Sequence, residues 1–303
     1  MNRRLGLALA AAGMAGAGAF VHTRVRVERR AHPARGGFAA GLHYVEAGFG
    51  PPAVFLHGMG SMLQDFELSG VFSRAADHYR AVALDRPGYG YSAPGANLPS
   101  AQAATLRQAF RRLGIAQPVI VAHSLGTLVA IAYALRYPDD VRGLVLASGY
   151  YYPTVRPDAL VLVPPAIPLI GTLMRHTVSP LVGRLLWPAW LKMLFAPREV
   201  PRYMVEQFPT WQALQPKQLH AVGREAALAV PVTAAMRKLY FTLRVPVAIV
   251  AGADDRYLST RAHSRRLHET LSDSTYLEVP GAGHMVHHAA PDTIVDAMQS
   301  VAR

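Results

Sequence analysis

The stretch Val119-Ile120-Val121-Ala122-His123-Ser124-Leu125-Gly126-Thr127-Leu128-Val129-Ala130-Ile131-Ala132-Tyr133-Ala134-Leu135 decides the reading of this chain. It begins as a strand-length apolar run, and from Leu128 onward it carries apolar side chains in a helix-like stretch. Between the two stands Ser124, with small residues two places before it, Ala122, and two places after it, Gly126. A turn that passes from strand to helix so sharply has no room for side chains at those two places, and it holds the serine hydroxyl exposed at its tip. The pattern is a nucleophile elbow in which alanine replaces the first glycine of G-x-S-x-G.

The partners such a serine needs follow in order. Val245-Pro246-Val247-Ala248-Ile249-Val250-Ala251 reads as a buried strand and runs into Gly252-Ala253-Asp254-Asp255, where a carboxylate emerges at the strand's C-terminal end. Thr275-Tyr276-Leu277-Glu278-Val279 reads as another strand and ends in Pro280-Gly281-Ala282-Gly283-His284. Upstream, Ala53-Val54-Phe55-Leu56 feeds His57-Gly58-Met59-Gly60-Ser61, where an oxyanion hole takes its second backbone N–H. Serine, then acid, then histidine differs from the chymotrypsin and subtilisin orders.

Five ordered motifs make the chain resemble the α/β-hydrolase fold family over residues 40–300: His57-Gly58, Asp85-Arg86-Pro87-Gly88-Tyr89-Gly90-Tyr91-Ser92, the Ser124 elbow, Gly252-Ala253-Asp254-Asp255 and Gly283-His284. The resemblance implies Ser124 as nucleophile, Asp255 as the orienting acid and His284 as general base, with the backbone N–H groups of Met59 and Leu125 forming the oxyanion hole. Asp255 is preferred to Asp254 because family members place the acid three residues after the glycine of that turn. The chain departs from the family's pattern twice, with Ser259 where proline is common and a short first hairpin over residues 38–47. Serine at position 124 points away from the haloalkane dehalogenases and epoxide hydrolases of this fold, which attack with a carboxylate.

An alkyl hydroxyl is a poor nucleophile at neutral pH, so a base must take its proton as it attacks an acyl carbon. The base in turn needs a fixed tautomer and a partner for the imidazolium that forms. Two backbone N–H groups then stabilise the oxyanion, each contributing about 3 kcal/mol. The expected reaction is hydrolysis of a carboxylic ester, apolar or lipid-like, through an acyl-enzyme intermediate. A carbon–carbon bond hydrolase or a cofactor-free perhydrolase uses the same triad, and a non-catalytic ligand-binding protein on this fold is the alternative of another class. Neither a metal nor an organic cofactor is expected.

Short apolar runs at 53–56, 81–84, 119–122, 144–148, 247–251 and 275–279 alternate with helical spacing near 100–113, 124–137, 260–271 and 291–301. That rhythm predicts an α/β fold, a mostly parallel sheet of the eight-stranded type flanked by helices. Ser100 and Ser259 or Thr260 are the expected helix N-caps, and Gly114 the expected C-cap. The rhythm breaks over residues 151–241, which with Tyr150 hold 12 of the 23 prolines and all three tryptophans, Trp187, Trp190 and Trp211. This segment reads as a helical lid, divided by its prolines into several short helices. It is inserted between two parts of the hydrolase core, residues 36–150 and 242–303. Its apolar run Ala159-Leu160-Val161-Leu162-Val163-Pro164-Pro165-Ala166-Ile167-Pro168-Leu169-Ile170 predicts a lipophilic pocket beneath.

Residues 1–35 read as a separate element, with Arg3-Arg4, then 17 uncharged residues from 5 to 21, then Arg24, Arg26, Arg29 and Arg30. The stretch is near the lower limit for a membrane span. Ala17-Gly18-Ala19 also offers a small-x-small cleavage site of the secretory kind. An N-terminal membrane anchor is the expectation, with export after signal cleavage as the alternative and a cytosolic helix the remaining one. The net charge of +12 is not spread evenly. Residues 1–35 carry seven arginines against one glutamate, residues 151–241 carry ten Lys or Arg against four acids, and the remainder is neutral. A basic tail and a basic apolar lid suit an anionic membrane surface, and the chain has neither the basic stripe nor the motif of a nucleic-acid binder. The expected partners are therefore a small-molecule ester and a membrane surface, with no nucleic acid; acyl length, membrane orientation and oligomeric state are left open.

Three further groups have plainer readings. His57 and His123 read as structural residues beside the active loops, and His287 and His288 as surface or packing residues rather than metal ligands. The glycine-rich run after Asp85 lacks the lysine of a phosphate loop and reads as a turn holding the sheet edge.

Overall fold

Eight strands form one sheet in a computed structural model that describes residues 3–302. Met1, Asn2 and Arg303, at the ends of the expected N-terminal segment and of the core, lie outside the described residues. The strands are β1 Gly37–Ala39, β2 Leu42–Ala47, β3 Pro52–Leu56, β4 Arg80–Leu84, β5 Val119–His123, β6 Gly143–Ala147, β7 Val247–Gly252 and β8 Ser274–Val279. They lie in the order β1-β2-β4-β3-β5-β6-β7-β8. β1 and β2 pair antiparallel, β2 joins β4 antiparallel, and every other pairing is parallel.

Parallel strands need crossover helices, and those helices cover both faces of the sheet. The central strands accordingly bury both sets of alternating side chains. Val54, Leu56, Ile120, Leu144 and Ile249 pack on one face with the helices Pro99–Leu113 and Gly126–Arg136. Phe55, Val121, Val145 and Val250 pack on the other with Gln64–Ser69, Val71–Ala76 and Pro291–Val301. Each such side chain contributes about 1.5–3 kcal/mol by leaving water, which explains why these runs are apolar without interruption. The helix Pro99–Leu113 begins one residue earlier than expected, because Pro99 at its first position is pre-set for helical φ and has no N–H to satisfy. Leu98, not Ser100, is therefore the flanking residue, while Gly114 closes the helix at φ 63°. At the other expected start, Ser259 Oγ accepts the Ala262 N–H at 3.3 Å.

Between β6 and β7 the chain leaves the sheet and becomes helical. Several prolines do end helices here, but Val178–Phe195 and Pro216–Met236 run on through Pro188 and Pro231. Both rings lie on the exposed side of their helix, where water can satisfy the carbonyl that proline leaves unpaired. The expected short helices are present, as in Ala159–Leu162, Ile170–His176, Arg202–Glu206 and Thr210–Ala213, but these two long ones stand beside them. At the N-terminus a single helix, Arg3–Ala31, carries the apolar stretch directly into the arginine-rich one. Its second half packs on the insertion, with Phe20 edge-on to Trp211 at 5.8 Å and His22 stacked on His176 at 5.5 Å. No single described helix is long and apolar enough to cross a membrane.

Candidate active site

Ser124 follows β5 with φ 51°, in the left-handed region where a β-carbon is strained. The turn is held from both sides: the Ser124 N–H donates to Ala147 O on β6 at 2.9 Å, and Thr127 Oγ1 donates to Ser124 O at 2.6 Å. Gly126 is required by contact, since a β-carbon there would lie 2.5 Å from His57 O and 2.7 Å from Leu56 O. That close approach sets the elbow against the loop after β3. Met59 and Leu125 consequently line the same cavity as Ser124, and among the described residues neither backbone N–H donates to another group of the chain.

The serine hydroxyl donates to His284 Nε2 at 2.9 Å, and His284 Nδ1–H donates to Asp255 Oδ2 at 2.8 Å. The other carboxylate oxygen of Asp255 accepts the Tyr257 and Leu258 N–H groups at 2.8 and 2.9 Å, which fixes the plane of the acid. Asp254 has a different task, as its Oδ2 accepts the Gly281 N–H at 2.9 Å and ties the two turns together. The Tyr257 ring packs on the His284 ring at 4.7 Å. All three residues expected from the sequence thus meet, across 160 residues of chain between Ser124 and His284.

Around this line of atoms are groups the sequence did not reveal. The insertion grips the loop of His284: the Met285 N–H donates to Leu194 O at 3.3 Å, and the Arg198 guanidinium donates to Gly281 O and Ala289 O at 2.9 Å each. Glu225, on the insertion helix Pro216–Met236, is buried against Arg86, with Gln102 Nε2 and Tyr89 OH also donating to its carboxylate. Arg86 Nε donates to His57 O at 2.9 Å. His57 itself accepts the Arg86 N–H at Nε2 and donates from Nδ1 to Gly58 O. Burial, then the neighbouring Arg86 charge, push its pKa down to about 4, so it supports the loop as a neutral ring. Asp85 accepts from His43 Nδ1, Leu63 N and Tyr91 N, so the glycine-rich run is a pinned turn.

Behind His284 lies a buried group of one acid and three imidazoles. His123 Nε2–H donates to His284 O at 3.1 Å, and His288 Nε2–H donates to Asp65 Oδ1 at 2.8 Å. Asp65, His123 and His287 bring ligand-type atoms within 4.8 Å of one another, the arrangement closest to a metal cage among the described residues. Burial opposes ionisation of Asp65, but His287 and His288 outweigh it and hold its carboxyl well below the usual carboxylate range. His287 and His288 are fully packed rather than at the surface.

The cavity over Ser124 has a volume of about 340 Å³ and is walled by apolar residues of the insertion, among them Met174, Trp187, Trp190, Leu191 and Phe208. Its polar lining includes Ser124 and His284, the Arg156–Asp158 pair, and Ser61, Asp65, His123 and Ser179.

Residues 51–291 match the model of the alpha/beta hydrolase fold family, and the chain belongs to that family. Haloalkane dehalogenase 2 of Mycobacterium bovis is 26% identical over 270 residues, which cover 85% of this chain and 90% of that protein. 2-Hydroxymuconate semialdehyde hydrolase of Pseudomonas putida is 35% identical over 116 residues, 37% of this chain and 41% of that one. Among solved structures, an esterase of Exiguobacterium antarcticum superposes with a TM-score of 0.72 at 19% identity, covering 88% of this chain and 99% of its own, a likeness of fold.

Proposed function

We propose that the protein is a serine hydrolase that cleaves a carboxylic ester with an apolar acyl group. The observation that carries this reading is the continuous line from Ser124 Oγ through His284 to Asp255, with hydrogen bonds of 2.9 and 2.8 Å, opening into an apolar cavity. In the first half-reaction Ser124 Oγ attacks the carbonyl carbon while His284 Nε2 takes its proton. The carbonyl oxygen becomes an oxyanion facing the Met59 and Leu125 N–H groups. Collapse expels the alcohol, which takes the proton back from His284 and leaves an acyl-Ser124. Water, deprotonated by His284, then attacks the acyl carbon, and the acid leaves as the serine is restored. The helical insertion acts as the lid of this cavity and chooses the acyl group. The N-terminal helix and the basic insertion keep the enzyme at a membrane surface, anchored or, with signal cleavage, exported.

A carbon–carbon bond hydrolase is the second reading, favoured by the 35% identity over 116 residues to 2-hydroxymuconate semialdehyde hydrolase. A ligand-binding protein is disfavoured by the complete triad. Hydrolysis of 4-nitrophenyl esters from acetate to palmitate, with Ser124→Ala beside the native chain, tests the proposal. Turnover that rises with chain length and vanishes in the variant is expected. No turnover of any ester, with cleavage of a vinylogous diketone, moves the second reading forward.

A further inference from the structure

The mouth of the cavity and the N-terminal helix meet on one face. Leu160, Val161, Val178 and Val182 line the cavity and are also exposed, at 83, 39, 49 and 36%, so they form its rim. On the helix Val178–Phe195 the spacing of Val178, Val182 and Leu185 puts all three on one side, and Leu185 is 79% exposed. Leu169, Ile170 and Leu173 of the neighbouring helical turn add more exposed aliphatic surface. The segments Ala159–Ala166 and Ile170–His176 are together apolar enough for a membrane span but are bent by 109°. They therefore suit lying in an interface rather than crossing it.

The helix Arg3–Ala31 crosses this face at the junction of those helices, where a β-carbon on Gly18 would lie 3.6 Å from His176 O. Before that crossing it leaves the body of the protein. Gly6, Gly13 and Gly16 have nothing within 4 Å of where a β-carbon would stand, and Leu9 and Met14 are exposed. Arg3 and Arg4 stand at its far end and residues 5–17 between are uncharged, so this half-helix suits lying along the headgroup–acyl boundary, where the arginines stay at the headgroups. Residues 159–195 also contain Arg175, Arg184 and Lys192 and no acid, a charge that matches anionic headgroups.

We propose that this face docks on an anionic phospholipid bilayer, with the projecting half-helix lying along the headgroup–acyl boundary, so that the cavity mouth opens onto the acyl region and an ester lipid enters sideways without passing through water. Docking stands on the exposed rim and helix alone; what is then cleaved rests on the ester-hydrolase reading. The full chain is tested by flotation with vesicles of phosphatidylcholine, with and without phosphatidylglycerol, beside a variant carrying Leu169→Asp, Ile170→Asp and Leu185→Asp. These three side chains are exposed and do not line the cavity. The native chain is expected to float with the anionic vesicles, and the variant to bind at least about 30-fold more weakly. Turnover of a vesicle-embedded diacylglycerol should fall in parallel, while turnover of soluble 4-nitrophenyl butyrate is unchanged. A native chain that stays off both vesicle types, including one that instead pairs with a second copy through this face, overturns the proposal. So does a variant that floats as well as the native chain. Flotation as expected with no turnover of either ester would leave docking standing and remove the ester-hydrolase reading.

Discussion

At the C-terminal edge of the sheet, Ser124, Asp255 and His284 are joined by hydrogen bonds of 2.9 and 2.8 Å and are almost completely buried. In the insertion above them, Leu160, Leu169, Ile170 and Leu185 are 65–86% exposed. The two regions differ in what holds them. The first is positioned by turns at the ends of buried strands, where a shift of a few tenths of an ångström is resisted by close packing. The second meets the core through small apolar clusters, such as Met62 and Met285 against Leu191 and Phe195, and through polar anchors, such as Glu225 against Arg86 and Arg198 on the loop of His284. Under the proposed function the comparison teaches a division of labour: the edge would fix the reacting atoms, and the insertion would decide what reaches them.

The largest effects should come from the edge. Ser124→Ala is expected to lower kcat for ester hydrolysis by about 10⁴-fold or more, and Asp255→Asn by about 10⁴-fold through loss of the correct His284 tautomer. Asp254→Asn should stay within a few-fold, since that side chain only braces Gly281; equal losses at the two aspartates in steady-state assays would break the assignment.

The anchors come next. Glu225→Ala leaves the Arg86 charge buried without its partner and should cost about 3–5 kcal/mol in urea unfolding. Arg202–Glu206, an exposed pair in the same insertion, offers the contrast: Glu206→Ala should change stability by less than about 0.5 kcal/mol. A comparable loss at both would mean that the insertion is held by its surface.

A smaller effect follows from two buried imidazoles. Burial, first of all, lowers the pKa of His57 and of His263 from 6.5 to about 4. As pH falls through 6.5 the unfolded chain takes up protons that the folded chain refuses until about pH 4, so stability is lost across that window and is level above it. The loss is on the order of 3 kcal/mol for each ring as an upper bound. Urea midpoints between pH 4 and 8 measure it, and His263→Gln should flatten the slope; an unchanged slope would show that His263 takes up its proton as readily in the fold as in the unfolded chain. Smallest of all, Trp190→Ala enlarges the cavity wall and should shift the ester chain-length profile by about tenfold at its long end. Acetate turnover should remain as it was.

Much of the edge was legible in the sequence because its determinants are local. The central strands are buried on both faces, so their apolar runs stand out, and Ser124, Asp255 and His284 sit at turns whose small residues are forced by contact. β1 and β2 were legible only as a short hairpin region, because strands at the rim of the sheet carry mixed side chains such as His43 and Glu46. Pro188 and Pro231 misled, since a proline's effect depends on which side of the helix meets water. Arg86 and Glu225 are 139 residues apart, and His288 and Asp65 are 223 apart, so no local pattern marks either as a partner. Asp65 within Met62-Leu63-Gln64-Asp65-Phe66-Glu67 is fully buried while Glu67, two residues on, is not, and nothing in the local sequence tells the two acids apart.

The central claim is that Ser124 is an activated nucleophile. Incubating the full chain with a fluorophosphonate, and locating the adduct by peptide mass, tests it most directly. The account predicts one adduct, on Ser124, absent in Ser124→Ala and formed far more slowly in His284→Ala. A folded chain that takes no label at Ser124, or labels equally fast without His284, would contradict it.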